Sequence, residues 1–555
     1  PLPSESEAMT AMTSAILGPP RHGVKVFACG WHSEMEQGEI AGEAVKAECS
    51  SLDFLKACGL DGFTDSHPWA GETVKMNALV EGDRYALSQP ATKVVEHAES
   101  LGLSVSQWST MNQSHPWMPQ GRPFRPDRPE WLRGVSGNMV GGTNADNFRD
   151  RAANCLACTP FYQWLESIIR QAMDTGYYTS WALDGDFWGS GEYYHSTIPV
   201  TCLAHNHDHV PGDSNYACQR ALNQLIATVR NTYPKTYIAM CRPPMDLGVW
   251  SNRHVDACFT LIETGTGASN IKAGDEIRTA SRIRIHHHFF PHWLDWALLF
   301  PSYAGYASYA SDPSKRPAWP SANLDYILLS ALSCTPNLLM YLPTKTGIPE
   351  ADKTVIRTWL AWARRNERFL MVRRDMFDWP GPDRVDGSIH WAVDEGLIFL
   401  FNPSSRERCV SIDPDKGIGG NSFPANIYVQ QEYPPGKPEH HPMPKDKRLA
   451  WNVPPETAVV LRLFPQKTTR LPGRGVTRPS KEDNAGQGGT GSTTTSTSDS
   501  GRGVTRPSRE DNAGQGGTGS TTTSTSDSGR GVTRPSREDN AGQGGTGSTT
   551  TSTSD

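Results

Sequence analysis

Hydrophobic and polar positions follow two different periods along the first two-thirds of the chain. Short apolar and β-branched runs alternate with longer stretches whose apolar positions recur every three or four residues. The short runs predict buried strands, and the longer stretches predict amphipathic helices. The predicted helices are residues 38–57, 91–100, 159–174, 217–232, 322–333 and 350–369. The predicted strands are residues 24–30, 60–65, 103–108, the run opening 177–189, 236–241, 257–263, 283–288 and 337–342.

Strand and helix alternate over about 350 residues, which is typical of an α/β fold with a parallel sheet. We therefore predict one catalytic (β/α)8 TIM barrel over residues 23–374, after a loose leader at 1–22. The pattern changes beyond residue 374, where short strands alternate with turns. This alternation of short strands and turns predicts a C-terminal antiparallel β-sandwich over residues 375–466.

The end of the chain consists of a repeated polar segment. One 28-residue unit occupies 473–500, recurs at 501–528, and recurs again at 529–555 without its last serine. The repeats contain almost no apolar side chains, so burial cannot offset the entropy lost on ordering. Residues 467–555 are therefore predicted to be a disordered Gly/Ser/Thr-rich tail, with an O-glycosylated stalk as the alternative.

The stretch 177–189, YYTSWALDGDFWG, is a predicted buried strand that ends in two carboxylates. Asp184 and Asp186 are two residues apart, so they point to the same face of an extended chain. A barrel strand that presents acids at its carboxyl end is typical of a catalytic site. A calcium loop and a solvated Asp-Gly turn are the alternatives for this stretch.

Composition narrows the possible partners. The formal net charge is −6, which gives no indication of nucleic-acid binding, and no apolar run reaches the roughly 18 residues of a membrane span. The 17 tryptophans offer flat faces that suit sugar rings as well as protein cores.

The cysteines give only a weak metal signal. Cys155 and Cys158 form a lone CxxC, with the histidine-rich segment 205–209 as the only partner in view, so we expect no metal and no cofactor. A local disulfide between Cys202 and Cys218 is compatible with the polar loop that they flank.

Carboxylates recur at several predicted strand ends, and this order resembles the clan D α-glycosidases. The nearest resemblance is to the α-galactosidases of glycoside hydrolase families 36 and 27. The resemblance covers roughly residues 24–464. Each motif by itself matches the family only weakly, and the specific signal is the order in which the motifs occur. The segments that carry it are LDGFTDSHPW at 60–69, 102–108 with 129–131, LDGDF at 183–187, CRPPMD at 241–246, FTLIE at 259–263, 359–370, 385–387 and 396–403.

The resemblance implies a retaining mechanism in which Asp186 is the nucleophile and Glu263 is the general acid/base. Two positions depart from the family: Asp184 stands where the family has lysine, and Glu263 where it has aspartate. The resemblance implies that Asp65, Trp69, Trp108, Arg242 and Asp246 bind the substrate. To these we add Asp184, at its departing position, and His288, from the histidine run that ends the predicted strand 283–288.

The function expected from these residues is a cofactor-independent exo-α-glycosidase, α-galactosidase-like, acting on oligo- or polysaccharides. One alternative is a relative that transfers the sugar to an acceptor instead of water. Another is a non-catalytic carbohydrate-binding or structural surface protein on the same barrel. Each reading is compatible with a secreted or cell-surface location. The sequence does not predict an oligomeric state.

Overall fold

The computed structural model describes part of the chain in detail. The described residues are 12, 15–18, 20–28, 41–64, 79–81, 83–86, 89–110, 128–132, 134–135, 138–139, 154–184, 202–241, 253–259, 276–287, 296–300, 319–343, 347–413, 427–436, 440–442 and 448–465. The predicted repeat tail lies outside these residues.

Eight parallel strands form one sheet that curves into a near-closed barrel. In chain order they are β1 (Lys25–Ala28), β2 (Gly62–Thr64), β3 (Ser104–Thr110), β4 (Tyr178–Asp184), β5 (Tyr237–Cys241), β6 (Ala257–Phe259), β7 (Trp296–Leu299) and β8 (Asn337–Met340). Their order across the sheet is β6-β5-β4-β3-β2-β1-β8-β7. The two outermost strands, β6 and β7, contact each other. The predicted barrel is thereby confirmed.

Aromatic side chains fill the interior of this barrel. Phe27 on β1 stacks on Tyr237 of β5, with ring centroids 5.1 Å apart, although these strands lie four positions apart in the sheet order. The Tyr237 hydroxyl donates a hydrogen bond to Asn337 Oδ1 of β8, at 2.9 Å. Side chains from distant strands therefore meet across the ring, as the packed core of a barrel requires.

Helices cover the outside of the barrel. They are α1 (Ala41–Ala57), α2 (Gln89–Ser100), α3 (Thr159–Asp174), α4 (Asn215–Thr232), α5 (Glu276–His286), α6 (Leu324–Leu332), α7 (Glu350–Arg365) and the single turn α8 (Glu367–Leu370). Helix α3 has the predicted bounds because Pro160 occupies its first turn and its buried residues follow the helical period. No described helix has the length and apolar character that crossing a membrane demands.

The predicted strand at 283–288 is wrong, because residues 283–286 belong to helix α5. The apparent alternation placed Ile283 and Ile285 on one face. In the structure Ile285 is 37% exposed, whereas the charged Arg284 is 2% exposed. Ile283 and Arg284 are adjacent and both buried, which a helix allows, whereas a strand would point them to opposite faces. The seventh barrel strand is instead the run WALL at β7, which the sequence analysis missed.

Two short antiparallel pairs and two 3-10 turns lie in connections of the barrel. The pairs join Leu79–Glu81 to Arg84–Ala86 and Gly134–Val135 to Asn138–Met139, and the turns are Pro129–Trp131 and Ser321–Asn323. Near the start of the chain, Leu17 is buried in the barrel's core. Arg21 Nη1 donates a hydrogen bond to the Val255 carbonyl at 3.1 Å.

The C-terminal part of the described chain is antiparallel, as predicted. Its strands are β9 (Arg374–Asp375), β10 (Asp386–Ala392), β11 (Glu395–Asn402), β12 (Arg408–Ile412), β13 (Ile427–Tyr433), β14 (His440–Pro442), β15 (Leu449–Val453) and β16 (Thr457–Pro465). Six of them form a sheet in the order β9-β10-β11-β16-β13-β14, and β12 pairs with β15 in a second sheet.

Strand β11 is buried on both faces. Leu397, Phe399 and Phe401 belong to the large core shared with the barrel. Ile398 and Leu400 belong to a separate core that includes residues of β12 and β15. This arrangement explains the uninterrupted apolar run of GLIFLF, because both alternating faces of the strand are covered.

A buried ion pair links the barrel to the antiparallel sheet. Arg284 on α5 and Asp386 on β10 are each 2% exposed. Arg284 Nη2 donates to Asp386 Oδ2 at 2.9 Å, and Arg284 Nη1 donates to Ser330 Oγ at 2.6 Å. The guanidinium carbon lies 4.1 Å from the centroid of the Phe401 ring. The pair therefore satisfies its polar atoms inside an otherwise apolar junction.

We predict that Arg284→Met destabilises the protein by about 3–5 kcal/mol, because it leaves the Asp386 carboxylate buried without its cation. Urea denaturation of the full chain measures this change. Arg282→Met is the matched control, since Arg282 lies on the same helix and is exposed. It should change stability by less than about 0.5 kcal/mol.

The double variant Arg284→Met/Asp386→Leu tests the electrostatic cause. Removing both charges should recover much of the loss, because no uncompensated charge then remains in the core. Equal stability of Arg284→Met and Arg282→Met would contradict the assigned role of the pair.

Candidate functional site

The carboxyl ends of the parallel strands gather at one end of the barrel, where (β/α)8 enzymes place their catalytic residues. Three pairings define this edge: Thr110 on β3 is in register with Asp184 on β4, Leu183 with Met240 on β5, and Cys241 with Phe259 on β6. Four consecutive strands of the ring therefore end close together. This edge is the candidate active site.

The predicted site residues follow these strand ends along the chain. Asp184 is the last residue of β4, and Trp108 lies in β3 in register with Ala182. Asp65 directly follows β2, and Arg242 directly follows β5. The side chains of Trp108 and Asp184 lie outside the described part of the structure. The predicted site residues that fall wholly outside it are Asp65, Trp69, Asp186, Arg242, Asp246, Glu263 and His288.

A register shift in β4 sets the alternation of positions leading to this edge. Val105 pairs with Tyr178, and the next residue, Ser106, pairs with Ser180, so Thr179 is an extra residue. Beyond this bulge, Trp181 and Leu183 belong to the hydrophobic core, and Ser180, which alternates with them along the strand, is also buried. The bulge therefore decides which residues of β4 point to the same face of the sheet as Ser180.

At the opposite end of the barrel, acidic side chains hold the backbone of neighbouring strands. A cavity of about 560 Å³ is lined there by residues at strand starts, including Lys25 and Ser104. Asp61 Oδ2 accepts a hydrogen bond from Val26 N at 2.8 Å, and Asp256 Oδ2 accepts one from Ile238 N at 2.8 Å. Each carboxylate thus holds the backbone of the neighbouring strand. Acids at the amino-terminal end of barrel strands stabilise the fold and do not perform chemistry.

A second polar cluster lies between the connection that follows β3 and the connection that follows β4. Its candidate ligand atoms lie within 4.8 Å of one another and belong to Cys155, Cys202, His207 and His209. The sequence analysis set Cys155 beside the histidine-rich segment 205–209 but predicted no metal, and it did not include Cys202 in this group. Cys202 and Cys218 both carry thiols, so the disulfide considered between them is not formed.

Without a metal ion, the surroundings of His207 favour the protonated imidazole. Burial lowers the pKa of His207, but hydrogen bonds with the thiols of Cys158 and Cys202 and with the Glu130 carbonyl outweigh it and raise the pKa to about 10. Asp208, next along the chain, accepts a hydrogen bond from the Thr159 amide at 3.0 Å. A hydrogen bond from the Thr159 side chain lowers the pKa of the Asp208 carboxyl most, and this backbone hydrogen bond lowers it further.

No protein-family model matches the sequence, and no curated protein matches it. Solved structures do resemble the fold. A family 36 α-galactosidase from Geobacillus stearothermophilus, bound to 1-deoxygalactonojirimycin, superposes with a TM-score of 0.58 at 11% identity. The galactosidase domain of an α-galactosidase–sucrose kinase gives 0.56 at 9% identity. Both comparisons cover 83% of this chain and 58% of the other.

An α-amylase from Geobacillus thermoleovorans, complexed with acarbose, also resembles the chain. Its TM-score is 0.52 at 12% identity, with 80% of this chain and 98% of that one covered. In contrast, the chain spans only about 58% of the length of the two α-galactosidases described above. At these identities the likeness shows the fold: a barrel and an antiparallel β-domain of the kind that glycoside hydrolases of this group share.

Proposed function

We propose that the chain is a retaining exo-α-glycosidase, α-galactosidase-like, that hydrolyses terminal α-linked sugars of oligo- or polysaccharides. The observation that carries the proposal is the parallel ring itself. Its strands β2, β4, β5 and β6 end immediately before the segments that contain the acidic residues. Variants of the Geobacillus stearothermophilus enzyme with this fold were crystallised with stachyose and with raffinose, which supports an oligosaccharide substrate.

In the proposed mechanism, Asp186 attacks the anomeric carbon and forms a glycosyl-enzyme intermediate. Glu263 first protonates the departing oxygen and then, as a carboxylate, removes a proton from the attacking water. Asp184 is four residues after Ser180 on β4, so the two positions lie on the same face of the strand. We assign Asp184 to substrate binding together with Asp65, Trp69, Trp108, Arg242, Asp246 and His288.

The departure at Asp184 supports two alternative functions. A carboxylate in place of the family's lysine changes the charge beside the proposed nucleophile, which favours a different acceptor or the loss of catalysis. A transferring relative would pass the sugar to an acceptor, and a non-catalytic protein would bind sugar without turnover. Product analysis with a high concentration of acceptor sugar separates transfer from hydrolysis. Calorimetric titration with oligosaccharides detects binding without cleavage.

We predict that Asp186→Asn lowers turnover of an aryl α-galactoside by several orders of magnitude, because the amide cannot form the glycosyl-enzyme bond. Steady-state kinetics on the purified full chain measure this loss. Unfolding of the variant should match that of the wild type.

Asp394→Asn is the matched control for this variant. It makes the same chemical change at an exposed turn between β10 and β11, so activity should be unchanged. Full activity of Asp186→Asn would remove that residue from the mechanism. A wild-type protein that turns over no aryl α-glycoside but binds oligosaccharides would favour the non-catalytic alternative.

We also predict that the carboxyl groups of Asp186 and Glu263 lie about 5–6 Å apart, as retention of configuration requires. A crystal structure of the protein with a bound inhibitor measures this separation. A distance near ~9 Å would instead indicate inversion, because a water molecule then fits between the acid and the sugar.

A further inference from the structure

The geometry of the second polar cluster points to a bound metal ion. We propose that it is a structural zinc site whose four ligands are Cys155, Cys202, His207 and His209. Two thiolates and two imidazoles form a closed tetrahedral set that leaves no position for a substrate. The site therefore serves the fold and does not depend on the glycosidase chemistry proposed above.

The spacing of the ligand atoms matches a zinc tetrahedron. Zinc–sulfur bonds of about 2.3 Å and zinc–nitrogen bonds of about 2.0 Å separate sulfur from nitrogen by roughly 3.5 Å at the tetrahedral angle. Cys155 Sγ lies 3.5 Å from His209 Nε2. Cys202 Sγ lies 3.3 Å from His207 Nδ1. Two of the four sulfur–nitrogen edges thus agree with the expected separation, and all ligand atoms lie within 4.8 Å of one another.

Both imidazoles are oriented for ligation by their second nitrogen. His207 Nε2 lies 2.8 Å from the Glu130 carbonyl oxygen, and His209 Nδ1 lies 3.0 Å from the Val210 carbonyl oxygen. A carbonyl accepts only from a protonated nitrogen, so in each neutral ring the nitrogen facing the thiols carries a lone pair. Metal-binding histidines are typically fixed in this way, by donation to a backbone carbonyl.

Hydrogen bonds fix both ligand-bearing segments, and one of these bonds joins the two. Asp208 N donates to the Ala157 carbonyl at 3.0 Å, and Cys155 N donates to the Trp131 carbonyl at 2.9 Å. Cys202 N donates to Ser214 Oγ at 2.8 Å. Three of the four ligand residues are buried, and His209 is half-buried. The site is therefore organised by contacts other than the ligands themselves.

The position of the site gives it a role in the barrel. Cys155 precedes helix α3, and the other three ligands precede helix α4. Zinc would join the connection between β3 and α3 to the connection between β4 and α4. Binding releases to solvent the two thiol protons, as the sulfurs become thiolates, and the proton on His207 Nδ1 where that ring is charged.

A disulfide is the main competing arrangement. Cys155 Sγ lies 3.8 Å from Cys218 Sγ, close enough for oxidation to join them after a small movement. A disulfide between them would require no imidazole, whereas His209 Nε2 lies against Cys155 Sγ and His207 Nδ1 lies against Cys202 Sγ. A pair of separate thiol–imidazole hydrogen bonds is the other competitor. Separate hydrogen bonds do not explain why the two thiol–imidazole pairs lie next to each other, with all four atoms within 4.8 Å.

Metal analysis of the full chain, produced without a polyhistidine tag, tests the proposal. We expect about one zinc per chain by mass spectrometry of the metal. We also expect a thiolate-to-cobalt charge-transfer band with tetrahedral d–d bands after Co²⁺ exchange. Cys202→Ser and His207→Gln should each lose most of the zinc. His205→Gln, in the same loop but exposed, and Cys218→Ser should each retain it.

Three results would overturn the proposal. The first is a wild-type protein without zinc that also gives no tetrahedral cobalt spectrum. The second is a Cys155–Cys218 cross-linked peptide in non-reducing digests of freshly purified protein. The third is zinc that Cys218→Ser loses and Cys202→Ser keeps, which would contradict the ligand assignment. The wild-type measurements decide the case even if the ligand variants fail to fold.

Discussion

The structure depends on closure of the parallel sheet. Every strand of a parallel sheet needs a hydrogen-bonding neighbour on each side and a covered surface on each face. The ring supplies hydrogen-bonding neighbours to its inner strands and nearly closes by bringing its end strands, β6 and β7, into contact. It meets the second need with a filled interior, where Phe27 stacks on Tyr237 across the barrel, and with an outer layer of helices. All strand ends then meet at one edge, and this alone makes a shared active site possible.

The antiparallel domain extends this closed unit because its large sheet has two apolar faces. The face with Phe399 and Phe401 packs into the core shared with the barrel, and the face with Ile398 and Leu400 is covered by residues of β12 and β15. The buried Arg284–Asp386 pair crosses the first junction. An ion pair of this kind adds little net stability, but its geometry permits few alternative alignments of the two domains.

The proposed active site and the proposed zinc site lie on neighbouring connections of the barrel. The segment that follows β4 contains Asp186 and continues to Cys202, so the chain that carries the proposed nucleophile is anchored by the proposed metal ligands at its far end. The proposed ligands would give this connection a fixed end point next to helix α4. A closed metal site would supply it without entering the chemistry, since all four coordination positions are taken by the protein.

The sequence by itself determined the architecture, because strand and helix periods are local properties. The alternation predicted the barrel, helix α3 to the residue, and seven of the eight barrel strands in position. It failed where burial broke the local pattern: Arg284 is buried and Ile285 exposed, so α5 resembled a strand. Only the tertiary structure decided the bulge at Thr179 and the meeting of Cys155 with His209. Both depend on how distant segments pair, and no local spacing of residues contains that information.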